Sequence, residues 1–131
     1  MPEPKRVTVV NDNPEFLQLM QDLLQDASYP ATLVDGDRDN AFELIQASQP
    51  EILIVDLRLG SEHFRGLEIL NLVRGDEALR DVPTVICSAD AWGIDQVRAE
   101  VEEMDRVALL TKPFAISDLY RVLQDLGAAD G

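Results

Sequence analysis

The chain has 131 residues and a formal net charge of −14, from 25 acidic and 11 basic residues. This length suits one domain, and a hydrophobic content of 46% is enough for a packed core, which excludes an intrinsically disordered chain. The acidic excess repels phosphate backbones and anionic lipids, so we expect neither direct nucleic-acid contact nor membrane binding.

Five short apolar runs, mostly of β-branched residues, predict five strands. The helix expected after the first strand begins with Asn13, Pro14 and Glu15: a capping side chain, a first-turn proline and an acid at the positive end of the helix dipole. The predicted strands are Val7–Val10, Ala31–Val34, Ile52–Val55, Val82–Cys87 and Val107–Leu110.

Apolar residues spaced three and four apart follow each strand and predict five amphipathic helices. Their apolar faces are, in chain order, Phe16, Leu17, Met20, Leu23 and Leu24; Ala41, Leu44, Ile45 and Ser48; Leu67, Leu70 and Val73; Ile94, Val97, Val101 and Met104; and Leu119, Val122, Leu123 and Leu126.

Alternation of strand and helix five times predicts an α/β fold, (βα)5, with a doubly wound parallel five-stranded sheet and helices on both faces. The run Ile52–Val55 is apolar without alternation, as expected for a strand covered on both sides. We interpret residues 1–131 as a single domain with a core at about residues 5–126. The small residues of 127–131 predict a flexible tail or the start of a linker.

Cellular location is indicated by two features of the sequence. Cys87 is the single cysteine, so no internal disulfide can form, which fits a reducing compartment. The first residues lack an apolar stretch and a small-residue cleavage site, so no signal peptide is predicted. We therefore expect a cytoplasmic protein.

The chemistry is expected where the strands end, because ligands of open parallel sheets bind outside the carboxyl ends of the strands. Asp12, Asp56, Ser88 and Lys112 each follow or end a different predicted strand. A carboxylate can act as a nucleophile toward a phosphoryl group, and a divalent cation such as Mg²⁺ relieves the repulsion between two carboxylates. The metal, the ammonium and the hydroxyl would then share the charge of the transferring oxygens.

Four segments, in this order and near this spacing, resemble the CheY-like response-regulator receiver domains of two-component phosphorelay systems. They are Val9–Asn13, Ile52–Leu59, Cys87–Ala89 and Thr111–Phe114. The resemblance covers about residues 5–126, nearly the whole chain. It implies a flavodoxin-like three-layer sandwich with strand order 2-1-3-4-5.

The resemblance also implies a role for residues at the first and third strands. Asp56 corresponds to the phosphoacceptor and to a Mg²⁺ ligand. Asp12 corresponds to the main acidic Mg²⁺ ligand, and the backbone carbonyl of Arg58 to a third one. Asn11 stands where a second acid is frequent, and it would lie behind the metal ligands. The absence of that acid should weaken Mg²⁺ binding.

Residues after the fourth and fifth strands receive roles in the same way. Ser88 and Ala89 correspond to the positions that bind the phosphoryl group and move upon activation. Lys112 corresponds to the lysine that pairs with the acceptor and then with the phosphoryl oxygens. The bond between Lys112 and Pro113 is a cis peptide in that family.

The implied function is that of a phosphoacceptor. Asp56 would accept a phosphoryl group from a histidine kinase or phosphotransfer protein in a Mg²⁺-dependent reaction. The domain would then be regulatory, catalysing only its own phosphorylation and dephosphorylation. The fourth predicted helix, the fifth strand and the fifth helix would form the switched surface, through which a homodimer could assemble.

Departures from the family pattern leave an alternative open. Leu109 stands where a switch tyrosine or phenylalanine is typical, and the segment 58–66 is about two residues longer than usual. With Asn11, these features are compatible with a receiver-like interaction module that is not phosphorylated.

Two enzyme classes of similar architecture fit less well. Asp12 lacks the second acid of haloacid-dehalogenase phosphatases, and the segment 13–16 lacks a flavodoxin-type phosphate loop.

Overall fold

The computed structural model describes residues 5–36, 39–56, 65–88, 93–95, 98–99, 103, 106–112 and 114–129. Five parallel strands form one sheet in the order β2-β1-β3-β4-β5, which confirms the predicted fold class and strand order. The strands are β1 Val7–Asn11, β2 Ala31–Asp35, β3 Ile52–Val55, β4 Thr84–Ser88 and β5 Val107–Thr111. The helices with described bounds are α1 Pro14–Asp26, α2 Ala41–Ser48, α3 Arg65–Gly75 and the C-terminal helix Ile116–Ala129.

The two faces of the sheet carry two separate apolar clusters, which makes three layers. Val9 and Ile54 point to one face and pack with α1 and the C-terminal helix. Val10 and Val55, their chain neighbours, point to the other face and pack with α2 and α3. Successive side chains of a strand point to opposite faces, so β3 is apolar at every position because both faces of the sheet are covered.

Helix α1 begins as its sequence predicts. The Asn13 side-chain oxygen accepts hydrogen bonds from the backbone N–H groups of Glu15 and Phe16, at 2.9 and 3.3 Å. Pro14 occupies the first turn, where a missing N–H costs nothing. The start of α1 is therefore fixed directly after β1, beside the carboxyl end of the sheet.

Strand β4 begins two residues later than predicted, because neither of the two residues before it donates its backbone N–H to the ladder. The Val82 N–H donates to the carbonyl of Leu79 in a turn, and Pro83 has no N–H. The C-terminal helix extends through Ala129, three residues beyond the predicted core, since alanine favours helix. In the segment of the fourth predicted helix, residues 93–95 and 98–99 are helical and Ile94 is buried.

The strand register brings the ends of β1, β3, β4 and β5 together. Val10 pairs with Val55, so the next residues, Asn11 and Asp56, lie side by side. Ser88 pairs with Thr111, which sets Lys112 at the same end of the sheet. In the part of the chain that the structure describes, no helix is both long and apolar enough to cross a membrane.

Candidate phosphoryl-acceptor site

Asp56 continues the line of β3 beyond its last residue. Its backbone N–H donates to the carbonyl of Val10 at 3.2 Å, which fixes it against β1. Its side chain is only 14% exposed. A carboxylate this far from water is costly unless polar groups stabilise its charge. Such groups are present in the residues that end the neighbouring strands.

Lys112 supplies one of these groups. Its Nζ lies 3.0 Å from Oδ2 of Asp56, and its side chain is 20% exposed. The backbone N–H of Lys112 donates to the carbonyl of Ser88 at 2.8 Å, which fastens the lysine to the end of β4. The ammonium also lies over the ring of Phe16, 3.8 Å from the ring centroid. The lysine is therefore held from three elements.

Asn11 supplies the second group. It is 2% exposed, and its Nδ2 donates to Oδ2 of Asp56 at 3.0 Å. Its Oδ1 accepts from the backbone N–H of Asn13 at 2.8 Å. The amide oxygen is thus turned toward the start of α1 and the amide nitrogen toward Asp56. Asn11 acts on Asp56 as a hydrogen-bond donor, a role that an acid at this position could not play unless it were protonated.

Two carboxylates, Asp12 and Asp56, are available at this end of the sheet for a hard cation. Asp12 is exposed and directly follows β1. Among the described residues, no group of three or more His, Cys, Asp or Glu side chains could hold a metal ion. Mg²⁺ uses one or two carboxylates together with waters and carbonyls, so this donor set fits Mg²⁺ without a third acid.

Ser88 ends β4 and is 2% exposed, so the residue that carries the predicted switch hydroxyl is buried. Leu109, on β5, is half-buried and pairs with Ile86 of β4. Three other predicted site positions lie outside the described residues: Arg58, Ala89 and Pro113. The predicted cis peptide between Lys112 and Pro113 therefore lies outside them as well.

Cys87 is a core residue, as its apolar strand predicts. Burial raises the pKa of its thiol to about 12, an effect that the nearby Lys112 ammonium opposes and the Asp56 carboxylate reinforces. The thiol is therefore protonated at neutral pH and is a poor nucleophile, although it is next to Ser88 in the chain.

Phe16 was predicted only as part of the apolar face of the first helix. The structure places its half-buried ring under the Lys112 ammonium as well. The available sequence signal was an aromatic residue in the first turn of a helix that starts at the end of β1. The contact between Phe16 and Lys112 also depends on β5 ending above that turn, which helical spacing does not show.

A family model described as Response regulator receiver domain matches residues 7–124. The polar-differentiation response regulator DivK of Brucella anthropi is 26% identical over 113 residues, which cover 86% of this chain and 88% of that protein. DivK of Brucella ovis is 27% identical over 112 residues, covering 86% of this chain and 87% of that protein. The chain belongs to the response-regulator receiver domain family.

Solved structures agree with this assignment. The receiver domain of sensor histidine kinase PA1611 from Pseudomonas aeruginosa, crystallised with a magnesium ion in its active-site cleft, has a TM-score of 0.77 and 26% identity. The match covers 95% of this chain and 98% of that one. Chemotaxis response regulator CheY4 of Vibrio cholerae shares the fold, with a TM-score of 0.78, 22% identity and coverage of 94% and 98%. The chain is thus a regulatory phosphoacceptor domain of two-component signalling and not a conventional enzyme.

Proposed function

We propose that Asp56 is the residue that accepts the phosphoryl group. The observation that carries this proposal is the convergence of two donors, Lys112 Nζ and Asn11 Nδ2, on one oxygen of Asp56, each at 3.0 Å. They hold the carboxylate in one orientation at the carboxyl end of the sheet. A charged carboxylate in a fixed orientation is the form of the side chain that can attack phosphorus.

In the proposed step, a carboxylate oxygen of Asp56 attacks the phosphorus atom of the donor and forms a new P–O bond. The bond from phosphorus to its leaving group breaks, and its electron pair goes to that group. The leaving group is the imidazole nitrogen of a phosphohistidine, or acetate when the donor is acetyl phosphate. Lys112 offsets negative charge on the phosphoryl oxygens, and Ser88 with Ala89 binds the transferred group.

Mg²⁺ is the proposed cofactor. Asp12 and Asp56 would hold it, with the backbone carbonyl of Arg58 as a further ligand and Asn11 outside the ligand set. When bound, Mg²⁺ supplies Lewis-acid neutralisation of phosphoryl charge. The PA1611 receiver domain, which contains magnesium, supports this choice by similarity.

The proposed partners are a histidine kinase or phosphotransfer protein as donor, in the cytoplasm. The proposed readout surface consists of the fourth predicted helix, β5 and the C-terminal helix, and a second copy of the chain is one candidate partner for it. With Leu109 on β5, the readout proceeds without an aromatic side chain at that position. The net charge of −14 argues against direct nucleic-acid contact.

Intact-mass spectrometry after incubation with acetyl phosphate and Mg²⁺ tests the acceptor. We expect the wild-type protein to gain about 80 Da, the mass of one phosphoryl group, and Asp56→Asn to gain nothing. Asp35→Asn is the matched control, because Asp35 is an exposed carboxylate that ends β2 and should leave the addition intact. Absence of the addition in the wild type would favour the non-phosphorylated interaction module, and an addition that persists in Asp56→Asn would exclude Asp56.

A further inference from the structure

We propose that Phe16 is a positioning residue for phosphoryl transfer, whose ring holds the Lys112 ammonium against Asp56. The proposal rests on the proposed function of Asp56. The Lys112 Nζ lies 3.8 Å from the centroid of the Phe16 ring and 3.0 Å from Oδ2 of Asp56. The ammonium is thus attracted by a carboxylate and by the negative face of an aromatic ring at the same time.

The ring and the carboxylate do different things for the lysine. A lysine side chain has four rotatable bonds and a compact charge, so a single ion pair leaves it many arrangements. The ring restricts these arrangements but has no oxygen or nitrogen that could accept a hydrogen bond. The N–H groups of Lys112 therefore stay available for Asp56, and later for the phosphoryl oxygens.

Phe16 is itself fixed to the acceptor by a second route. Its backbone N–H donates to Oδ1 of Asn13, the backbone N–H of Asn13 donates to Oδ1 of Asn11, and Nδ2 of Asn11 donates to Asp56. The side chain of Phe16 packs against the core beneath α1. The ring position is therefore set by the same strand end that orients the acceptor, and not only by the packing of the helix.

Replacing Phe16 by leucine removes the aromatic face and keeps an apolar side chain. We expect Phe16→Leu to lower the rate constant of phosphorylation by acetyl phosphate about threefold to thirtyfold, the range that corresponds to one cation–π contact. Phe16→Tyr keeps the ring face and should restore most of the rate. Phe42→Leu is the matched control, because Phe42 is a half-buried phenylalanine of α2 that packs against the other cluster, and its rate should stay at the wild-type value.

The NMR signals of the Lys112 side chain provide a readout that does not depend on phosphorylation. Hydrogens above the face of an aromatic ring are shielded, so the side-chain methylene signals of Lys112 should lie upfield in the unphosphorylated wild type and in Phe16→Tyr. They should move to ordinary lysine positions in Phe16→Leu and stay upfield in Phe42→Leu.

The two measurements separate the failure of this proposal from failure of the proposed function. Lys112 signals at ordinary positions in a wild type that is phosphorylated on Asp56 would overturn the role of Phe16 alone. So would a Phe16→Leu rate equal to that of the wild type, or a Phe16→Tyr rate as low as that of Phe16→Leu. Shielded Lys112 signals in a wild type that is never phosphorylated would overturn the proposed function, and the role of Phe16 in transfer with it.

Discussion

The two ends of the sheet both carry charged side chains, but these side chains have different partners. At the amino end, arginines donate to backbone carbonyls: Arg6 to Gln49, and Arg106 to Asp81. At the carboxyl end, the side chains of Lys112 and Asn11 donate to the side chain of Asp56.

This difference separates structural polar groups from reactive ones. A side chain that donates to a loop carbonyl joins two segments that are distant in the chain, and each such hydrogen bond stabilises the fold by a modest net amount. At the carboxyl end, two donors converge on Asp56, the carboxylate that we propose as the phosphoryl acceptor.

A cavity at the amino end has the same structural character. A cavity of about 360 Å³ lies at the amino end and is lined by residues that include Arg6, Gln46, Asp76 and Leu79. Arg6 is bound to Gln49 and Glu51, and Asp76 to Gln46. Polar groups that line this cavity are therefore engaged in contacts that hold the fold together.

The largest expected effect comes from exchanging one cation at each end for methionine. Lys112→Met should slow phosphorylation of Asp56 about a hundredfold or more, because the group that neutralises the phosphoryl oxygens is lost. Arg74→Met should instead lower the free energy of unfolding by about 1–3 kcal/mol, because Arg74 donates to the carbonyls of Arg80 and Arg106. Mass-spectrometric time courses and urea unfolding measure the two quantities.

The same two variants also test whether the amino end takes part in phosphorylation. In Arg74→Met, phosphorylation of the protein that remains folded should proceed at the wild-type rate. If it slows as much as in Lys112→Met, the amino end contributes to the reaction and the division into structural and reactive ends is wrong.

The next effect concerns the acid that is missing from the site. Asn11→Asp should tighten Mg²⁺ binding about tenfold, because it replaces a donor by a carboxylate next to Asp56 and the added repulsion is relieved by the cation. The metal-free variant should accordingly be less stable than the wild type. Mg²⁺ titration by calorimetry, with thermal unfolding at increasing Mg²⁺ concentration, measures both effects.

Asn13→Asp is the matched control for this change. It adds the same charge two residues further along, and its carboxylate can still cap α1. Its Mg²⁺ affinity should change less than that of Asn11→Asp. Equal affinities in the two variants would mean that net charge, and not the position beside Asp56, governs metal binding.

Much of this arrangement could be predicted from the sequence, because the strands are short apolar runs that end in polar residues. Asp56 directly follows Ile52–Val55, and Lys112 directly follows β5, so their meeting depends on a parallel sheet and on the strand order that the resemblance implies. The start of β4 was predicted too early, since periodicity does not report that Val82 is engaged in a turn.

Contacts between separate elements could not be predicted in this way. The orientation of the Asn11 amide depends on the backbone of Asn13, and the contact between Phe16 and Lys112 depends on how β5 lies over α1. The apolar spacing of a helix face is the same whether an aromatic ring only packs in the core or also contacts an ammonium.

The smallest expected effect sharpens the assignment of the amino end as structural. The hydrogen bond from Gln46, followed by that from the backbone N–H of Ala78, lowers the pKa of Asp76 below its ordinary 3.8. A carboxylate whose pKa is lower in the folded state stabilises the fold at pH values above its unfolded pKa, and this contribution is lost as the pH falls through the folded value. Asp76→Asn should therefore lower the urea midpoint near neutral pH and leave phosphorylation of Asp56 unchanged.

The pH dependence of that difference identifies its cause. The urea midpoints of Asp76→Asn and the wild type should converge as the pH falls through the lowered folded-state pKa of Asp76, because the wild-type carboxyl is then protonated as well. Glu77→Gln removes the same charge from the adjacent exposed residue and should show no such convergence. Parallel midpoints across the acid range would show that the bonds to Asp76 do not depend on its charge. Asp76 would then contribute to the amino end through neutral hydrogen bonds, beside the arginine–carbonyl contacts and the ion pair of Arg6 with Glu51.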